Sequence, residues 1–517
     1  MSLMTHEIEY RRLRAPQEDG GTLVDPPRTV VGDLVHHNQA ILERFGIQAD
    51  ETRRALVAAA LNYTRQYRDC DAIAAESPVF IAGHQPQLFH PGVWYKNFVL
   101  GELAQEHGGV AVNLVIDSDA MRSASIRMPT GIVANPRLET IPFDQAGGET
   151  PYEEHAILDR SLFESFGSRV RESIEKICPN AMIREFWPKV IERSRHQNNL
   201  GLAISQARHI VEGEWGSATL ELPQSRLCEL PGFRCFAIRL LSDATRLRSV
   251  YNEAAAEYRR VNHIRSKAHP VPDLTTFDGW TETPFWIWTV DQPRRRRLFA
   301  QGAGGEVRLT DRENLDLSLS SSPEVAVDQL EAFERRGIKV RTRALITTMF
   351  ARLMLGDLFI HGIGGAKYDQ VTDAIIRRFF EMEPPAYLTV TATLRLPIQR
   401  PGVSDVDLHV VESRLRELEF HPERWLDGLN TSVQEKTAEK DRWIATPQTR
   451  ENARERCQAI RHINEALQPE VARLREKLLV EQDSLRDALK IEKLLASREF
   501  AFCLYPAEQL RSLMRQR

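Results

Sequence analysis

Two short apolar runs, "VFIA" (Val79 to Ala82) and "LFI" inside "DLFIHGIGG", each lead into a turn dense in glycine and histidine and then into a helical pattern. After the first helix comes "VAVNLVIDSDAM"; after the second comes the β-rich "AYLTVTATLRLP". Strand, loop, helix and strand in that order is the unit of a parallel sheet, because parallel neighbours need a crossover connection. The two units lie far apart in the chain. One α/β core must therefore be assembled from both halves.

At 517 residues the chain exceeds one typical hydrophobic core, so two or three domains are expected. Lys and Arg number 68 against 72 Asp and Glu, a net charge of −4, which points away from nucleic acid and from an anionic membrane surface as partners. No apolar run is long enough to span a bilayer, and "MSLMTHEIEYRRLRAPQEDGG" lacks the apolar stretch of a signal peptide, so a cytoplasmic protein is expected. The six cysteines are scattered without a C-x-x-C pair, which argues against a zinc ribbon and a disulfide framework. No metal site is predicted.

Three segments follow. Residues 1–76 read as an N-terminal helical segment, 77–404 as the α/β core with insertions, and 405–517 as a helical domain whose last stretch, "FAFCLYP", returns to the core. Within the core, "FRCFAIRLL" reads as a strand, and "PFWIWTV" with "RRRRLFAQ" as an antiparallel pair with the arginines near the hairpin turn. In the last segment Leu467, Val471, Leu474, Leu478, Leu485 and Ala488 repeat at a and d spacing. That predicts a coiled-coil hairpin with Pro469 at a turn or first helical position, and a seam through which two subunits could pair as a homodimer.

Three stretches carry candidate chemistry. In "FIAGHQPQLFHPGVWYKN", His84, Gln85, His90, Gly92 and Lys96 fall where the first strand hands over to a helix. Backbone N–H groups and the helix dipole favour an anion there, and glycine allows its close approach. A nucleotide or phosphorylated substrate suits such a place, since open α/β sheets bind ligands beyond the carboxyl ends of their strands; the alternative is a stiff turn whose histidines cap the helix. In "VIDSDAMRS", Asp117 and Asp119 could bind, orient or deprotonate an amine, bind Mg²⁺ or orient a sugar hydroxyl; the alternative is that Asp117 or Ser118 caps a helix. In "HGIGGAKYDQ", His361, Gly364, Gly365, Lys367 and Tyr368 open the second helix, and the glycines could cradle a phosphate or acidic group. The expected ligand is a small molecule.

"HPGV" (His90 to Val93) resembles the HxGH signature of the class I nucleotidyl-transferase-like fold, with Val93 in place of the second histidine. More broadly, "AGHQPQLFHPGVWYKNFVLGELA", "VNLVIDSDAM" and "RALITTMFARLMLGDLFIHGIGGAKYDQVTDAIIRRFF", followed by a heptad-patterned tail, resemble in order the elements of the bacillithiol biosynthesis cysteine-adding enzyme family. The likeness spans roughly residues 75 to 505. His84-Gln-Pro stands where that family has Gln-Gln, and is also similar to a glycan-biosynthesis family.

The resemblance implies an α/β fold: a Rossmann-like parallel sheet core with inserted segments and a C-terminal helical coiled-coil domain. It implies a ligase or transferase that joins an amino acid, cysteine in the family, to a sugar- or amine-bearing small molecule, with ATP or ADP as the nucleotide. By position, Gln85, Lys96, Asp117, Asp119, Gly364, Gly365 and Tyr368 would line the cleft. Asp117, Asp119 and His90 are the expected catalytic groups; His84, Gln85, Gly92, Lys96, His361, Gly364, Gly365, Lys367 and Tyr368 are the expected binding groups. A non-catalytic nucleotide- or ligand-binding protein with coiled-coil dimerisation is the other reading.

Overall fold

The computed structural model describes residues 8–43, 47–70, 77–426 and 431–516. Parts of the predicted N-terminal segment (1–7, 44–46 and 71–76), and with them the start of the stretch read for a signal peptide, lie outside the described residues. The strands in chain order are β1 Thr22–Asp25, β2 Val79–His84, β3 Val110–Val115, β4 Ser125–Ile132, β5 Asn135–Pro142, β6 Leu220–Pro223 and β7 Thr276–Phe277. They continue as β8 Trp280–Thr289, β9 Gln292–Ala303, β10 Glu306–Thr310, β11 Asp316–Ser320, β12 Ile338–Thr342, β13 Leu358–His361 and β14 Tyr387–Ala392. Among the described residues no helix is long and apolar enough to cross a membrane.

The structure is a mixed α/β protein. One six-stranded sheet runs in the order β1-β14-β13-β2-β3-β6, with all pairings parallel except that of β1 with β14. Every residue of β3 and β14 is buried, as are Val79 to Ala82 of β2. Burial on both faces is why Val79 to Ala82 read as an unbroken apolar run, whereas β3 buries one polar residue, Asn113, and β14 two, Thr389 and Thr391. From β2 the chain passes through the helix Pro91–Glu106 to β3, on one side of β2; from β13 it passes through the helix Ile363–Ile375 to β14, on the other side. The connections diverge between β2 and β13, and such a reversal opens a crevice at the strands' carboxyl ends.

The amino ends of the same strands are fixed by buried polar groups. Asn38 donates from Nδ2 to the carbonyls of Asp357 (2.7 Å) and Ala386 (2.9 Å), and its Oδ1 accepts from the Ala386 N–H (2.6 Å). The Asp357 carboxylate accepts from the Val79 N–H (2.7 Å) and pairs with Arg53 (3.1 Å). One asparagine and one aspartate thus set the starts of β2, β13 and β14.

A second sheet, β11-β10-β9-β8-β12, is antiparallel, and β7 adds to β8. The predicted β8–β9 pair is present, but Arg294 to Arg297 stand on β9 itself, past the turn. "FRCFAIRLL" is not a strand. It belongs to the helix Pro231–Ser242, with Pro231 in its first turn and Phe233, Phe236, Ala237, Leu240 and Leu241 buried. Those positions keep a helical period, which outweighs the strand-like look of the apolar run.

The described residues form two units. The first lies within 1–128, 139–396 and 498–517; the second lies within 129–138, the tip of the β4–β5 hairpin, and 397–497. In the second unit Pro469 is neither a turn nor a helix start, because the helix Ala453–Leu495 runs through it. Gln468 braces that point, donating to the Leu418 carbonyl (2.9 Å). The heptad seam is shared out along this one long helix. Ile463 and Leu467 pack with Val433 of the helix Thr431–Ala445, whereas Val471 and Leu478 pack with Val411 and Leu418 of the helix Asp405–Phe420.

Replacing Asn38 by Ala strands the buried carbonyls of Asp357 and Ala386 and the Ala386 N–H. The expected loss of stability is about 2–4 kcal/mol, read by urea denaturation; an unchanged midpoint would contradict the role given to this residue.

Candidate functional site

The crevice between β2 and β13 contains a cavity of about 370 Å³ in the first unit. Of the sequence-predicted residues, His84, Gln85, His90, Gly92, Lys96, Asp119, His361, Gly364 and Gly365 line it. Asp117, Lys367 and Tyr368 do not. Tyr368 sits edge-on to His269, with ring centroids 5.5 Å apart. Asp117 is buried, and its carboxylate accepts from the Ser225 N–H (2.8 Å) and hydroxyl (2.5 Å), holding the start of the short helix Gln224–Leu227. The catalytic expectation for Asp117 is replaced by a capping role, although not for the helix that follows it in sequence.

The two helix ends at the cavity differ. At the Pro91–Glu106 helix the donors are already used: Pro91 has none, the Gly92 N–H donates to His90 Nδ1 (3.1 Å), and the Val93 N–H to the His90 carbonyl (3.0 Å). His90 is therefore a cap first, and its Nε2 lies 3.7 Å from Glu499. Gly92 owes its identity to packing, since a Cβ there would collide with the Ala392 carbonyl of β14.

At the Ile363–Ile375 helix no side chain among the described residues caps the start, and Gly362 is the N-cap. The N–H groups of Ile363, Gly364 and Gly365 precede the first intrahelical bond, which Ala366 makes to the Gly362 carbonyl. Of the two anion cradles read from sequence, the second is open and the first is closed.

Beside the open end stands His361, at the carboxyl end of β13. Its Nε2 is 2.9 Å from Asp369 Oδ2, one helical turn beyond the glycines. Burial would raise the Asp369 carboxyl, but Arg352 and His361 more than offset that and hold it well below the usual carboxylate range. Thr348 Oγ1 donates to the other oxygen (2.7 Å). With an ionised acceptor on Nε2, the imidazole hydrogen belongs there and Nδ1 is the ring's acceptor. Nδ1 lies over Gly365, where a Cβ would come within 2.7 Å. This is the orienter–base pairing that general-base catalysis uses.

The cations are of two kinds. Lys96 is buried and donates from Nζ to the Gly83 carbonyl (2.6 Å); burial, with Arg208 nearby, pushes its ammonium down to about 7. Arg498 reaches the cavity from the far end of the chain, donating to Thr393 (2.9 Å) and Thr391 (3.2 Å). His84 is not a cation near neutrality: burial, reinforced by Lys96, pushes its imidazole down to about 3. Gln85 donates to Asp119 (2.9 Å), whose other oxygen pairs with Arg295 (2.9 Å). Beneath the cleft Arg208 is buried against Glu212 and Glu221, which also accept from Trp94, Asn97 and Asn113.

Sequence reasoning missed Arg498, Asp369, Arg352 and the threonines. The signal for Arg498 was its place just before "FAFCLYP". Phe502 of that segment packs 4.4 Å from Trp94, and its N–H donates to the Phe89 carbonyl (2.8 Å), which brings the chain back to the cleft.

In comparison with known proteins, no protein-family model and no curated protein matches this chain.

Gly365→Ala is expected to push the His361 ring off Asp369, whereas Gly364→Ala meets open space. Long-range ¹H–¹⁵N spectra of the histidines test this. The His361 pattern of an Nε2-protonated ring should be lost in the first variant only; retention in both would contradict the orientation described.

Proposed function

We propose that this chain is a ligase or transferase that uses ATP or ADP to join an amino acid or similar group to a sugar- or amine-bearing small molecule. The sheet is read as a Rossmann-like core and the second unit as a coiled-coil domain. The observation that carries the reading is the meeting, in one cavity, of an uncapped helix start, two cationic side chains and a histidine oriented by a buried aspartate. The cavity's volume is in the range of small-ligand sites. The resemblance to the cysteine-adding family supplies the substrate class.

In this reading the N–H groups of Ile363, Gly364 and Gly365, with Lys96 and Arg498, hold the phosphates. Bound ATP would supply the group that turns an acid oxygen of the amino acid into a leaving group. His361 Nδ1 takes the proton that the amine loses as its nitrogen bonds to the acyl carbon and the activated oxygen departs. Asp119 and Gln85 form a polar wall that orients the amine-bearing partner. Val93, on the cavity wall where the HxGH signature has its second histidine, favours the second reading, a binding protein without catalysis.

Thermal-shift and calorimetric titrations with ATP, ADP, cysteine and amino-sugar conjugates test the proposal. ATP or ADP should bind, and Arg498→Gln should weaken binding by about tenfold or more. His361→Gln should leave binding intact and lower turnover by roughly 10²–10⁴. Nucleotide binding with no product from any acid and amine pair would favour the binding protein; no binding of any of these ligands would contradict both readings.

The pH dependence has a definite sign. Lys96 loses its proton as pH rises through about 7, so nucleotide affinity should fall over that range, and Lys96→Met should flatten the profile. Stability moves oppositely. Between about 7 and the ordinary lysine value the unfolded chain binds the proton that the folded chain has released, so this group makes folding more favourable as pH rises. Affinity that is level across neutrality in the native chain would count against a cationic role for Lys96.

A further inference from the structure

Apart from Arg295, which pairs with Asp119, the arginines on β9 have no part in the cleft chemistry. Arg294 to Arg297, with Arg312 and Trp286, line an open groove of about 570 Å³ in the first unit. Five guanidinium groups face three lining carboxylates, Glu149, Asp311 and Glu313, the last paired with Arg296, and two more carboxylates, Asp119 and Glu282, reach Arg295 and Arg297 from outside the groove. Asp311 is largely consumed: its Oδ1 accepts from the N–H groups of Glu313, Asn314 and Leu315, and Oδ2 fixes Arg296 (2.7 Å).

Arg295 pairs with Asp119 and Arg297 with Glu282, which leaves Arg294 and Arg312 as the guanidinium groups that a ligand can engage. Arg294 meets Glu149 at 3.2 Å, but both side chains are more than 70 % exposed, so the pair is weak and exchangeable. Arg312 pairs with no carboxylate among the described residues. Its guanidinium lies 3.7 Å from the Phe277 ring centre, a stacking that leaves its N–H edge free for an anion. Arg295 lies over Trp286, and its Nε is buried without a hydrogen-bond partner. Arg294 and Arg312 both line the groove, so one ligand with two anionic groups can engage both.

We propose that this groove is a second binding site, for a small molecule carrying two or more phosphate or carboxylate groups. It meets the cleft at the Asp119–Arg295 ion pair, so an occupant there could pull Arg295 from Asp119. The site does not depend on nucleotide binding in the cleft.

Calorimetric titration of the full chain with inorganic pyrophosphate and with citrate, at physiological salt and with or without saturating ADP, tests the proposal. At least one probe should bind in the presence of ADP. Arg294→Gln combined with Arg312→Gln, both exposed side chains, should weaken that binding by about tenfold or more without changing the melting temperature. Glu149→Gln, which frees Arg294, should strengthen it, so the site is read in both directions. Binding of pyrophosphate alone assigns a phosphate ligand, citrate alone a carboxylate, and both a shared acidic chemistry. Binding of neither, binding lost at physiological salt, or binding indifferent to all three substitutions would overturn the proposal.

Discussion

The parallel pairing of β13 with β2 is the constraint from which the rest of the cleft follows. Its register, Leu358 to Phe80 and Ile360 to Ala82, brings the ends of the two strands out side by side. His361 and the pair Gly83-His84 then emerge at one level, and the helices that follow leave in opposite directions. Asn38 and Asp357 hold the other ends of these strands, so a slip in register would break buried hydrogen bonds as well as misplace the histidine. The position of the chemistry is decided by backbone pairing far more than by any side chain in the cavity.

Electrostatics then distinguishes groups that look alike in sequence. Two glycine-bearing turns open two helices, yet one end is closed by proline and by the His90 ring, and the other is left open. His84 and His361 both stand at strand ends. His84 is neutral because burial and Lys96 remove its charge, whereas His361 is oriented by a carboxylate that Arg352 keeps ionised. Lys96 is poised near neutrality because it is buried beside Arg208, whose own charge is matched by Glu212 and Glu221 below the cleft. A cluster of buried charges is costly unless its members are paired. Here the cluster supports Lys96, whose charge changes in the neutral range.

Much of this was legible in the chain. The apolar runs of β2 and β3 announced buried strands, and the ends of β2, β3 and β13 with the helix starts beyond them supplied nine of the residues around the cavity. What could not be read was which atoms are already engaged. Nothing local to Asp117 reveals that Ser225, more than a hundred residues on, takes both of its oxygens. Asp369 was visible in "KYDQ", but its value lies in facing His361 across one helical turn. Arg498 needed the returning Phe502 segment. "FRCFAIRLL" misled because a densely apolar run hides a helical period until its polar positions are weighed. Pro469 misled because packing on both sides of it, at Leu467 and Val471, holds a helix that its own chemistry would interrupt.

In the proposed reaction the anion is held at the open helix start of Gly364 and Gly365. A crystal structure of the chain with ADP bound tests that directly. A phosphate oxygen is expected within hydrogen-bond distance of the Gly364 or Gly365 N–H, with Arg498 or Lys96 on its other side. Phosphates bound instead at the His90-capped end, or ordered ADP lying outside the cavity between β2 and β13, would contradict it.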